Sequence, residues 1–75
     1  MFNEKKAREI IDRTIKVEEE NSEGRGKYCF KRFVKYNGKM CAEVYSFLKE
    51  QEPTEDDIEL WGIDFETGDA GLICE

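Results

Sequence analysis

The side chains available for chemistry in this sequence are carboxylates, amines and thiols, because none of its 75 residues is histidine. The commonest general base, and the usual activator of a serine or cysteine nucleophile, is therefore missing. Cys29, Cys41 and Cys74 carry thiols, but none lies in a nucleophile signature. Among 18 carboxylates no pair stands out as an acid–base couple. The chain reads as a non-enzyme. Three widely spaced thiols without histidine also lack zinc spacing. The run Asp64-Phe65-Glu66-Thr67-Gly68-Asp69, with Glu75 at loop position 12, has a faint calcium-loop pattern that fails at positions 5 and 6. It reads as a turn. Gly24-Arg25-Gly26-Lys27 has neither P-loop nor dinucleotide-loop spacing and reads as a flexible loop. No metal or cofactor is expected.

Two charged stretches point to binding instead. Glu50, Glu52, Glu55, Asp56, Asp57 and Glu59 form a dense carboxylate row, continued by Asp64, Glu66 and Asp69. Such a row is a solvated linker, or it presents negative charge to a basic groove in place of a nucleic-acid backbone. Between Gly24 and Lys39 lie six bases and no acid: Arg25, Lys27, Lys31, Arg32, Lys35 and Lys39. Tyr28, Phe30, Phe33 and Tyr36 interleave with them, a composition suited to single-stranded nucleic acid. Phe33-Val34-Lys35-Tyr36 matches only the tail of an RNA-binding pattern, and the βαββαβ order is absent.

The charge is split along the chain. Residues 1–49 hold 12 bases against 8 acids, a net +4, whereas residues 50–75 hold 10 acids and no base. That asymmetry fits either a charged partner or two halves that neutralise each other in the fold. The size fits one domain over residues 1–75, with a small core and a shallow contact surface rather than a deep pocket. An odd cysteine count, with Glu4, Lys5 and Lys6 where a signal peptide would turn apolar, points to free thiols in a reducing cytoplasm. No uncharged run is long enough to span a membrane.

These residues need elements to position them. Ala7, Ile10, Ile11, Thr14, Ile15, Val17 and Glu18 recur with helical spacing, predicting a helix over about 3–18. Asn3 caps it and Phe2 packs back on Ala7. Lys5 and Lys6 at its start, and Glu18 to Glu20 at its end, oppose the helix dipole, so fraying is expected after about residue 17. The runner-up stops the helix near Arg13 and makes Thr14–Glu18 a strand. Asn37-Gly38 predicts a hairpin over 27–48 through a type I′ turn. Its register pairs Tyr36 with Lys39, Val34 with Cys41, Arg32 with Glu43, Phe30 with Tyr45 and Tyr28 with Phe47. The rival reading turns Met40, Cys41, Val44, Tyr45 and Leu48 into a helical stripe. Residues 50–57 read as an acidic linker in which Thr54 and Asp57 cap one turn. Glu59 to Glu66 alternate as a third strand, Thr67–Asp69 turn, and Ala70–Cys74 close the sheet.

The expected fold is therefore α+β, one N-terminal helix on a small antiparallel sheet of three or four strands. Continuous alternation would place Cys29, Phe33, Met40, Ala42, Val44 and Leu48 under the helix. It would leave Tyr28, Phe30, Tyr36 and Tyr45 on an aromatic face for a partner, unless the sheet's own twist or the linker covers them. The functional expectation is a non-catalytic protein-binding module. It would use that face, or Glu52, Glu55, Asp56, Asp57 and Glu59, to block the basic surface of a nucleic-acid enzyme. Small acidic inhibitors of the kind phages use against host defences, anti-CRISPR proteins included, share that composition. The alternatives are a single-stranded nucleic-acid binder using Arg25, Lys27, Lys31, Arg32 and Lys35, and a regulatory or structural homodimer that closes its own aromatic face.

Overall fold

The computed structural model describes residues 3–73. The expected roles of Phe2, Cys74 and Glu75 fall outside them. Helix α1 spans Glu4–Asn21, and strands β1 (Gly26–Tyr36), β2 (Lys39–Leu48), β3 (Ile58–Asp64) and β4 (Asp69–Leu72) follow. All neighbours are antiparallel, in the order β1-β2-β3-β4. The helix lies across one side of this meander, packing on β1, β3 and β4. The predicted α-β-β-β-β architecture is the observed one.

The helix starts as expected. Asn3 Oδ1 accepts from the Lys6 amide at 3.0 Å, satisfying one of the donors that a first turn leaves open. Asn3→Ala is expected to lower stability by about 1 kcal/mol in urea denaturation. The helix end removes the runner-up strand and corrects the expected fraying. Residues 14–18 are helical, and the helix runs to Asn21 instead of fraying after residue 17. The opposed dipole is outweighed by specific bonds. The Ser22 amide donates to Glu18 O at 3.1 Å, and Ser22 Oγ donates to Glu19 O at 2.9 Å. The Glu19 carboxylate accepts from the Tyr28 amide at 3.2 Å, tying the last turn to β1.

Residues 40–48 are strand, not helix. Asn37 (φ 50°) and Gly38 (φ 79°) adopt the left-handed conformations a type I′ turn needs. From that turn the register runs as predicted through Tyr36–Lys39, Val34–Cys41 and Arg32–Glu43. It then shifts at Lys31, and the pairs become Phe30–Val44, Cys29–Tyr45, Tyr28–Ser46 and Lys27–Phe47. The predicted Phe30–Tyr45 and Tyr28–Phe47 pairs do not form. The cause is in Phe30-Lys31-Arg32-Phe33, where two adjacent bases between two aromatics break a period of two. A bulge absorbs the extra residue and keeps both bases out of the core. Because Phe30 already pairs with Val44, deleting Lys31 is expected to leave that pair and every later one unchanged. A nuclear Overhauser contact between Phe30 and Val44 checks this.

The bulge reassigns the faces. Phe33, Phe30 and Tyr28 lie on the helix side with Ala42 and Val44, while Cys29 moves to the other side. The core is Ala7, Ile10, Ile11, Ala42, Val44 and Trp61, with Ile15, Tyr28, Phe30, Phe33, Ile63 and Ala70 packed around it. The predicted single turn after Pro53 is present as a 3-10 turn, Glu55–Asp57. The Thr54 amide donates to Asp57 Oδ2 at 2.8 Å and the Asp56 amide donates to Thr54 Oγ1 at 3.3 Å. β3 ends at Asp64 rather than Glu66, because Asp64 Oδ1 accepts from the amides of Glu66 (2.9 Å) and Thr67 (3.3 Å). Among the described residues no helix is long and apolar enough to cross a membrane.

Candidate functional site

The face of the sheet away from the helix is the candidate site. Pairing across the four strands sets its rows. One row holds Cys29, Tyr45 and Ile58; the next holds Arg32, Glu43 and Leu60; the next holds Val34, Cys41, Gly62 and Gly71. Ile73 lies beside Leu60, its amide donating to Leu60 O at 2.9 Å. Tyr36 and Lys39 end the face on β1–β2, and Asp64 and Asp69 end it on β3–β4. Val34, Tyr36, Tyr45, Phe47, Ile58, Leu60 and Ile73 are each partly buried, so this face is a floor of side chains packed on one another. Cys41 at its middle is 0% exposed. Burial pushes its thiol pKa up, and the Lys39 ammonium and a backbone hydrogen bond from Tyr36 oppose the rise.

Of the aromatic residues expected to share a docking face, Tyr36 and Tyr45 do. Tyr28 and Phe30 do not. Tyr28 packs 5.6 Å from the Trp61 ring, and Phe30 packs 4.7 Å from Phe33 under the Arg8 guanidinium. The bases are divided too. Lys31 and Arg32 both reach the open face, as adjacent residues of a bulge can. There Lys31 Nζ meets Glu55 Oε2 at 3.0 Å and lies 5.7 Å from the Tyr45 ring centre. Arg32 donates to the Glu43 carboxylate. Both pKa values are raised, first by these hydrogen bonds and then by the carboxylate charges. Lys27 shares this face, Lys35 pairs with Met40 on the helix side, and Arg25 precedes the strand. The basic stretch and its aromatics are therefore not one surface.

The acidic residues divide as well. Glu55 is committed to Lys31, Asp57 to its own turn, and Glu59 to the Trp61 indole at 3.1 Å. Glu52 and Asp56 are exposed. The Lys31–Glu55 and Tyr45 contacts set this turn against the Tyr45–Ile58 end of the open face. Asp64, Glu66 and Asp69 stand at the opposite end. No side-chain cluster among the described residues is arranged to hold a metal ion.

Sequence reasoning missed the strand glycines. Gly62 and Gly71 face each other across β3–β4, and the Ile73 side chain packs over Gly62, its Cγ1 3.3 Å from where a Cβ would stand. Isolated glycines in strand-like segments were the available signal. In comparisons with protein families, curated proteins and solved structures, nothing matches this chain.

Proposed function

We propose that this chain is a non-catalytic protein-binding module. It docks the open face of its sheet, with the acidic segments at either end, on a partner with a basic surface. A small acidic inhibitor of a nucleic-acid enzyme, working in a reducing cytoplasm, is the form this reading takes. One observation carries it. The helix covers only one side of the sheet, and on the other side the two bases of the bulge are already held by Glu43 and Glu55. The exposed carboxylates Glu50, Glu52, Asp56, Asp64, Glu66 and Asp69 remain to set the charge at the two ends. A semi-apolar floor with charged ends is how interfaces divide anchoring from steering. Against the single-stranded nucleic-acid reading, Tyr28, Phe30 and Phe33 are packed on the core side, away from Lys31 and Arg32.

The test is affinity capture from host lysate with nuclease treatment, comparing the natural chain with an E52K/D56K variant. Neither side chain makes a described bond within the fold, so the variant is expected to fold normally. The expected result is a basic-surfaced enzyme retained after nuclease by the natural chain, with affinity falling as salt rises. The variant should bind it about tenfold or more weakly. Partners that disappear with nuclease, or tight gel shifts of short single strands, would replace this reading with the nucleic-acid one.

A further inference from the structure

The two edges of the sheet are finished differently. At the β1 edge, the Gly26 amide donates to Ser22 Oγ at 3.1 Å and the Tyr28 amide to the Glu19 carboxylate at 3.2 Å. Lys27, Lys31, Arg32 and Lys35, with the bulge at Lys31, guard the rest of that strand, since edge charges and bulges discourage strand addition. The β4 edge carries no base, proline or bulge. The Ile73 amide donates to Leu60 O, and bonding alternates along an antiparallel strand. Asp69 and Gly71 therefore also face β3, while Ala70 and Leu72 point their amides and carbonyls away from the sheet. No described residue bonds those outward groups. Leu72 is also 57% exposed, more than any other large apolar side chain among the described residues. An unguarded edge beside an exposed apolar side chain is a template for another strand.

We propose that this edge pairs antiparallel with β4 of a second copy of the chain, about a two-fold axis at Gly71. That register alone uses both outward residues of each copy, because Ala70 then faces the partner's Leu72 and exchanges both backbone bonds with it. The segment is self-complementary there. Asp69 faces the partner's Ile73 and not a second carboxylate, so no like charges oppose each other, and each Leu72 gains an alanine beside it. Gly71 meets its own copy at the axis, on a side where a Cβ would touch nothing within the single chain. Pairing of β4 with the partner's β1 is disfavoured, since Glu19 and Ser22 already hold edge amides of that strand. The axis runs perpendicular to the sheet, so the two sheets become one and both open faces lie on the same side. The inference does not rest on the proposed docking, although a dimer would offer two such faces together.

Sedimentation equilibrium of the full chain tests this. The mass is expected to rise from one chain toward two between about 10 μM and 1 mM, because the paired segment is short. Leu72→Lys replaces an exposed side chain and should weaken association about tenfold. Leu72→Pro removes an outward amide without breaking a bond to β3 and should abolish association, with circular dichroism confirming the fold. A third variant reads the register. Facing residues that do not bond stand about 4.5 Å apart at Cα, within disulfide reach. G71C in a C29S/C74S background should therefore link two chains on mild oxidation, whereas T67C in the same background, on the turn, should not. A chain that stays monomeric up to about 1 mM overturns the inference. So does association unchanged in both Leu72 variants, or linkage through T67C as fast as through G71C, either of which would place the contact elsewhere on the molecule. Capture of the enzyme from lysate depends on the open face, so that result and this one can fail separately.

Discussion

Trp61→Ala is expected to lose about half of the domain's stability. Trp61 is the only tryptophan in the chain and is 3% exposed. It stands across from Ala42 on β2 and Leu72 on β4, with its ring tilted 54° to that of Tyr28. Its indole N–H is satisfied by Glu59, so the buried ring leaves no polar group unpaired. Truncating a buried tryptophan costs about 3–5 kcal/mol, from lost transfer energy plus the cavity left behind. A 75-residue domain holds roughly 4–11 kcal/mol in total. The variant should therefore unfold at a much lower urea concentration than the natural chain. Far-UV circular dichroism in urea is the suitable measure, since the fluorescent reporter is itself removed. Trp61→Phe, which keeps a ring beside Tyr28, should recover much of the loss. An unchanged urea midpoint in Trp61→Ala would mean that the helix and sheet are held together elsewhere.

The second large effect is kinetic. In a Cys74→Ser background, the Cys41 thiol is expected to react with a disulfide reagent about 1,000-fold or more slowly than Cys29. Cys29 is exposed and Cys41 is buried, although both belong to the same face. Cys41 must await an opening of the sheet, and burial also holds its thiol in the protonated, unreactive form. Denaturing urea should erase the difference. The same group gives a pH dependence of definite sign. Its folded-state pKa is raised, so as pH climbs through the ordinary thiol range, roughly 8 to 9, the unfolded chain ionises first. Below that range this thiol contributes no pH dependence. From there up to the raised folded-state pKa the unfolded state binds fewer protons and stability falls, and beyond it the slope ends. Cys41→Ala should flatten that alkaline slope. Comparable reaction rates for the two thiols in native buffer would show that the middle of the open face is accessible to solvent.

Much of the fold was legible because its signals are local. Helical spacing around Ile10 and Ile11, the Asn37-Gly38 turn and the Thr54–Asp57 cap each act within a few residues, and each forms as read. What was not read depends on pairs distant in sequence. The end of the helix turns on Glu19 reaching the Tyr28 amide, a bond that no dipole argument contains. The bulge at Lys31 was legible in principle, since Phe30-Lys31-Arg32-Phe33 cannot alternate. Reading it required asking which residues the helix would cover. That one shift places Tyr28 and Phe30 in the core and leaves Tyr36 and Tyr45 on the open side. The acidic segment was visible as composition, but its division into committed carboxylates (Glu55, Asp57, Glu59) and exposed ones (Glu52, Asp56) is tertiary. The need for glycine at 62 escaped notice because Ile73 comes over it only when β3 and β4 pair.

The Arg13 guanidinium donates to the carbonyl of Gly68, 55 residues away, and α1 packs against β4. The earliest and latest elements thus meet on one side of the sheet. A chain emerging from the ribosome offers α1 before any strand of the sheet that covers Ala7, Ile10 and Ile11. The meander can add strands in sequence by short turns, but the helix has its full seat only after Asp69–Leu72 has left the exit tunnel. Such long-range closure slows folding relative to a domain built from neighbours. During synthesis the helix's apolar stripe is therefore exposed to whatever else is nearby, and a ribosome stalled before residue 69 would hold a meander whose helix lacks part of its seat.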